Sequence, residues 1–131
     1  MLGKTSILFL LLSLSSLSLS ASTERCIKLF LQDQRLAAYQ ECLPLAQIGD
    51  RDAAFVIARL FAKGLDDRPD WNKVVEWLTL SAANGHGEAA YNLAIAHERG
   101  RGTPKNMTRA ISYYQRAIEL GNAKARPWGF S

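Results

Sequence analysis

The stretch from Gly85 to Gly121, GHGEAAYNLAIAHERGRGTPKNMTRAISYYQRAIELG, repeats the pattern of the stretch before it, Gly49 to Gly85, GDRDAAFVIARLFAKGLDDRPDWNKVVEWLTLSAANG. Aligning Gly49, Gly85 and Gly121 gives a gap-free period of 36 residues. In that register Asp50, His86 and Asn122 share a position, as do Ala53, Ala89 and Ala125, and Asp52 answers to Glu88. Ile57 pairs with Leu93, Ala58 with Ala94, Phe61 with His97, Gly64 with Gly100, Asp70 with Asn106, and Trp77 with Tyr113. Val74 pairs with Ala110, and Ala38 lies one period earlier. A fixed period of this length is the mark of a repeat architecture, in which each unit buries its apolar face by stacking on the next.

Each half-repeat reads as one helix. Asp52 to Lys63 contains no Gly or Pro and sets Ala54, Ile57, Ala58 and Phe61 three and four residues apart, which is one apolar stripe of a helix. Asp50 is placed to cap that helix and Gly64 to stop it. The second helix begins at Asp70, with Asn106 as its counterpart, and ends at Gly85 or Gly121. Ala53, Ala58, Ala89 and Ala94 allow close helix approach, while Phe61, Trp77 and Tyr113 fill wider gaps. The expected fold is all-α, an α/α superhelical solenoid of about three stacked helix pairs.

The order Ala89, Ala90, Tyr91, Asn92, Leu93, Ala94, then His97, Glu98, Arg99, Gly100, Arg101, Gly102, then Ala110, Tyr113, Tyr114, Ala117 and Gly121 resembles the Sel1-like repeat family, relatives of the tetratricopeptide repeat. The resemblance covers two units from Gly49 to Gly121, with Arg35 to Gly49 as the second helix of an earlier unit and Asn122 to Pro127 as a broken later one. Asp66 stands where the second loop glycine belongs, Val74 in place of a helix alanine, and His97 in place of an aromatic. The resemblance implies a superhelix used for protein interactions, often in bacterial envelope, signalling or assembly roles.

Outside the repeats, Lys4, the apolar and Ser-rich run from Ser6 to Leu19 and the small residues before Glu24 have the order of a secretory signal peptide. Cleavage is expected after Ser20 or Ser22. The run is too short and serine-rich to span a bilayer well, which takes about 20 mainly apolar residues, so no stable membrane insertion is expected after cleavage. The expected organisation is a signal peptide over 1–22, a capping helical hairpin over 23–48, repeats over 49–84 and 85–120, and a truncated repeat or cap over 121–131, where Trp128 and Phe130 close the stack or dock a partner. The net charge of +4 is spread along the chain without a basic stripe and interleaved aromatics, which argues against nucleic acid as a partner. The protein is expected in the periplasm or secreted.

Cys26 and Cys42 fall on two short helices folded about a turn near Asp33, so their sulfurs are placed to face each other. In an oxidising compartment the pair reads as a disulfide; two free buried thiols or a redox pair are the alternatives, although redox pairs are usually much closer in sequence.

Residues that would carry chemistry are sparse. His86 and His97 lack a metal-ligand pattern, and Asp66, Asp67 and Asp70 lack the alternating ligands and terminal Glu of a calcium loop. No Ser-x-x-Lys motif occurs. The expectation is therefore a non-enzyme with no metal and no cofactor. In related solenoids the first helix of each pair lines the concave side, and counting from the packing stripe puts Asp52, Phe55 and Arg59 there together with Glu88, Tyr91, Ile95 and Glu98. Mixed rings and charges suit a protein or peptide partner, the rings supplying area and the charges orientation. Phe55 and Tyr91 could equally pack between layers. The expected function is an exported interaction module, an adaptor or scaffold; an immunity-type protein neutralising a toxic effector, or an envelope enzyme acting on cell-wall material, are the alternatives.

Overall fold

The computed structural model describes residues 19–128, with side chains placed through residue 125. A helix over 19–31 (α1) is followed by α2 (Arg35–Gln47), α3 (Arg51–Lys63), α4 (Trp71–Ala83), α5 (Gly87–Arg99), α6 (Met107–Glu119) and a short 3-10 segment, Ala123–Trp128. There is no strand among the described residues. Most of the expected leader, residues 1–18, lies outside them, and residues 19–22 form the first turn of α1.

The period of the sequence becomes a period of the backbone. Helices α2 to α6 are each 13 residues long. Their first residues, Arg35, Arg51, Trp71, Gly87 and Met107, lie alternately 16 and 20 residues apart, which restores the 36-residue repeat. Each helix from α2 onward packs chiefly on its neighbours in the chain, as a stack of pairs requires. The pair α1–α2 departs from the pattern, because its connection is only residues 32–34 where α3–α4 and α5–α6 have loops over 64–70 and 100–106.

Four of the helix starts, those of α3 to α6, follow from side-chain caps, while α2 starts at Gln34 without one. The Asp50 carboxylate accepts from the Asp52 and Ala53 amides, Asp70 from Lys73 N–H, and Asn106 from Arg109 N–H. At the fourth start His86 takes this role, its Nδ1 accepting from Ala89 N–H at 3.1 Å. A neutral imidazole with an unprotonated Nδ1 satisfies the same open amide that a carboxylate would.

Two apolar clusters form the core. One gathers Cys26, Phe30, Ala38, Cys42, Ile57 and Leu60 beneath α1 to α3, and the other gathers Leu78, Leu93, Ala110 and Tyr114 beneath α4 to α6. Phe61 and Trp77 pack against both and join them. Ala53, Ala89 and Ala125, the alanines sharing one repeat position, are all fully buried. Burying Ile57, Leu60 and Leu93 stabilises the stack by about 1.5–3 kcal/mol each.

Cys26 and Cys42 are joined in a disulfide with both residues fully buried, tying α1 to α2. Arg35 then ties α2 to the first loop: its guanidinium donates to the Gly64 carbonyl and pairs with Asp67 and Asp33. The Arg35 hydrogen bond and charge, with a smaller contribution from Lys63, hold the Asp33 carboxyl below its ordinary pKa.

That loop has its own shape. In the second unit Gly100 and Gly102 both take positive φ, whereas in the first unit the left-handed residues are Gly64 and Asp67. Asp66, where glycine was expected, keeps an ordinary φ and folds back to accept from Arg68 N–H and pair with its guanidinium.

Candidate functional site

Helices α3 and α5 stand side by side over α4, and the gap between them is a cleft of about 180 Å³. Its floor is Val74 and Leu78 from α4, and its walls include Ala58 and Ala62 from α3 and Ile95 and Ala96 from α5. The space exists because three of these wall residues are alanine: the small side chains that bring the helices down onto α4 do not fill the gap above it. The volume falls below the roughly 300–1,000 Å³ of a site for a drug-sized molecule or cofactor.

Arginines surround the apolar recess. Arg59, Arg99 and Arg101 all line it, and among the described residues none of the three forms an ion pair with a carboxylate. Arg59 lies over the Phe30 ring at 4.8 Å and the Phe55 ring at 5.9 Å. Arg101 lies over Trp71 at 4.7 Å. A guanidinium seated on a ring keeps its in-plane N–H donors open to another partner.

The local sequence explains why Arg101 is there. Gly102 passes so close to the start of α4 that a Cβ would meet the Trp71 carbonyl oxygen at 2.1 Å. The glycine therefore lets the loop after α5 descend onto α4, which sets Arg101 above the Trp71 ring.

The seven residues expected to bind a partner divide among separate surroundings. Arg59 and Ile95 line the cleft. Phe55 is buried and stacks on His86 with ring centroids 4.2 Å apart, while His86 Nε2 lies 3.6 Å from the exposed Asp52. Burial lowers the His86 pKa, and the nearby Asp52 opposes that shift. Tyr91 turns toward α6 and meets Tyr114 edge-on, and Glu98 accepts a 2.7 Å hydrogen bond from the Tyr114 hydroxyl. Burial together with Glu98 holds the Tyr114 phenol above its ordinary pKa. Glu88 pairs with Lys124 beyond α6. Phe55 thus packs between layers, and most of Tyr91 does the same.

Sequence reasoning did not assign Trp71, Arg99 or Arg101 to the binding surface. A signal was present: Trp71 is a large apolar residue directly after a cap, at the exposed start of the stripe that Val74 and Leu78 continue, and Arg101 sits between two loop glycines.

No group of three or more His, Cys, Asp or Glu side chains capable of holding a metal ion occurs among the described residues. His97 is buried with its Nδ1 unpartnered and its ring stacked on Tyr113, and burial is the main cause of its lowered pKa. Among the described residues no helix is long and apolar enough to cross a membrane.

Stacked antiparallel helix pairs with a groove between successive first helices define an α/α solenoid of the scaffold class. The Sel1 repeat model matches residues 51–86 and 87–122, and the chain belongs to the Sel1 repeat family. Sel1 repeats generally mediate protein–protein interaction, and the fold is generally a non-enzymatic scaffold. The fold is similar to that of a Sel1 repeat protein from Oxalobacter formigenes, with a TM-score of 0.75 at 24% identity over 94% of this chain and 96% of that one. DAP3-binding cell death enhancer 1 is 33% identical in Mus musculus and 31% in Rattus norvegicus, in each case over 62% of this chain. The chain spans only 16% of the length of those relatives.

Proposed function

We propose that this protein is an exported adaptor or scaffold, working in the periplasm or outside the cell, that holds a partner protein along the groove between α3 and α5. The observation that carries the reading is the cleft itself: an apolar recess of about 180 Å³ that suits a protein side chain better than a metabolite, edged by three arginines that form no ion pair among the described residues. The name of the mouse relative records that it binds another protein, which supports a protein as the partner class. Export is supported by the leader-like order of residues 1–22 and by the buried Cys26–Cys42 disulfide, a bond that persists in oxidising compartments.

The test is a pull-down from an envelope extract with the chain beginning at Thr23, compared with an Arg59→Glu/Ile95→Glu form shown to be folded by circular dichroism. A partner held by the first and released by the second is the expected result. Equal capture by both would move the site elsewhere. Sequencing the N-terminus of protein recovered outside the cytoplasm is expected to read from Ala21 or Thr23, and a chain still beginning at Met1 would remove the export reading.

A further inference from the structure

The partner's chemistry can be taken one step further, on the reading that the cleft is a protein-binding groove. We infer that its occupant is an acidic segment of a partner protein, one apolar side chain entering the recess and flanking Asp or Glu carboxylates lying against Arg59, Arg99 and Arg101.

Charge complementarity carries the inference. Of the other arginines with described side chains, Arg25 pairs with Glu41, Arg35 with Asp33 and Asp67, Arg68 with Asp66, and Arg116 with Glu119, while Arg51 reaches only the Gly85 carbonyl and Arg109 forms no ion pair. The three at the cleft form no ion pair among the described residues and gather around one apolar recess, although carboxylates lie nearby in the chain. Glu98, beside Arg99, is taken by the Tyr114 hydroxyl, and Asp52, two turns before Arg59, faces His86.

Geometry adds to charge. Arg59 and Arg101 are held by ring stacking, so less side-chain freedom is lost when their donors are used. A planar guanidinium fixed in this way offers two parallel N–H groups to a carboxylate. The apolar floor between the cations explains why the occupant is more than a polyanion: Val74 and Leu78 gain only when an apolar side chain displaces water from above them. An anionic bilayer would meet the arginines but would not thread a side chain between two helices.

The experiment measures fluorescence anisotropy of labelled peptides on the disulfide-bonded protein beginning at Thr23. The panel carries Leu, Ile, Met or Phe at its centre between paired Glu residues, with matched peptides bearing Gln for Glu or Ser for the apolar residue. The expected result is that at least one Glu peptide binds roughly tenfold tighter than both its Gln and Ser counterparts, and that its binding weakens as salt rises and screens the charges. Two variants should each abolish that preference: Arg59→Gln/Arg99→Gln/Arg101→Gln, which removes the cations, and Ala96→Leu, which fills the recess and keeps them. Circular dichroism is to establish that both are folded; Ala62→Leu replaces Ala96→Leu if that form is not.

Equal binding of Glu and Gln peptides, or no binding by any of the panel, overturns the inference. So does arginine-dependent binding to phosphatidylglycerol vesicles without peptide binding, which would assign the cations to a membrane. The same variants in the envelope pull-down keep this inference separate from the reading it rests on. A partner retained by both variants leaves an interaction module standing and overturns the acidic segment, whereas a protein that captures no partner in any form overturns both.

Discussion

Gly102 and the Trp71 carbonyl are in contact so close that no other residue fits at position 102: a Cβ there would lie 2.1 Å from the Trp71 oxygen and 2.5 Å from its carbonyl carbon. The glycine also has φ of +74°, where a side chain adds its own strain. This one contact fixes the loop after α5 onto the start of α4 and so places one arginine of the cleft.

Gly102→Ala is expected to cost about 2 kcal/mol or more, combining left-handed strain with displacement of rigid backbone. For a domain of this size that corresponds to a fall of roughly 10 °C in Tm. The variant should also free Arg101 from the Trp71 ring, read as a change in tryptophan emission in the folded state. An unchanged Tm and emission would show that the loop can lift away without consequence.

Reduction of the Cys26–Cys42 disulfide, or its replacement by two serines, is expected to destabilise the chain by about 2–4 kcal/mol. The loss should be uneven. Because α1 joins the stack at one end, hydrogen exchange should rise first over 23–47 while amides of α5 and α6 stay protected. A uniform rise across all helices would mean that the hairpin and the repeats unfold as one unit.

The repeat was legible because its glycines and alanines recur at a fixed period for backbone reasons that hold in every unit. Asp50, Asp70 and Asn106 were readable as caps because a short polar side chain ahead of an apolar stripe has one clear local use. His86 was not, since an imidazole accepts from a backbone amide only in one tautomer, and nothing local announces which. The groove was harder still. It is made of what the repeat leaves empty, between residues far apart in sequence, and a void has no residue type to mark it. Arg59 and Ile95, read onto the concave side by counting from the packing stripe, line the cleft; Phe55 and Tyr91, at the equivalent aromatic position, turned inward because the adjacent layer offers His86 and Tyr114 as stacking partners.

His97 makes stability depend on pH. Its folded pKa is lowered by burial, and Arg109 adds to the effect, so near the ordinary histidine value of about 6.5 the unfolded chain binds more protons than the folded one. Stability is therefore full above that value and declines as pH falls below it. His86 shifts in the same direction and adds to the decline. His97→Phe, which installs the side chain that Phe61 supplies one repeat earlier, is expected to flatten the dependence and raise Tm at pH 5 more than at pH 8. An equal change at both values would assign the acid sensitivity to other groups.

Asp50 does two tasks at once, and separating them tests how the N-terminal helix is coupled to the repeats. One carboxylate oxygen caps α3 by accepting from two amides, and the other accepts from the Thr23 hydroxyl on α1. Asp50→Ala is expected to cost about 1–2 kcal/mol, and Thr23→Val, which removes only the hydroxyl, about 1 kcal/mol. Asp50→Asn should restore most of the first loss, since an amide oxygen also caps. Because the single Thr23 hydroxyl proton is shared between Asp50 and the Leu19 carbonyl, part of its contribution goes with Asp50, and the double variant Asp50→Ala/Thr23→Val should cost less than the two singles together, by roughly 0.5 kcal/mol or more. Thermal melts of the four forms measure that difference directly, and strict additivity would mean that α1 is held by the disulfide and apolar packing alone.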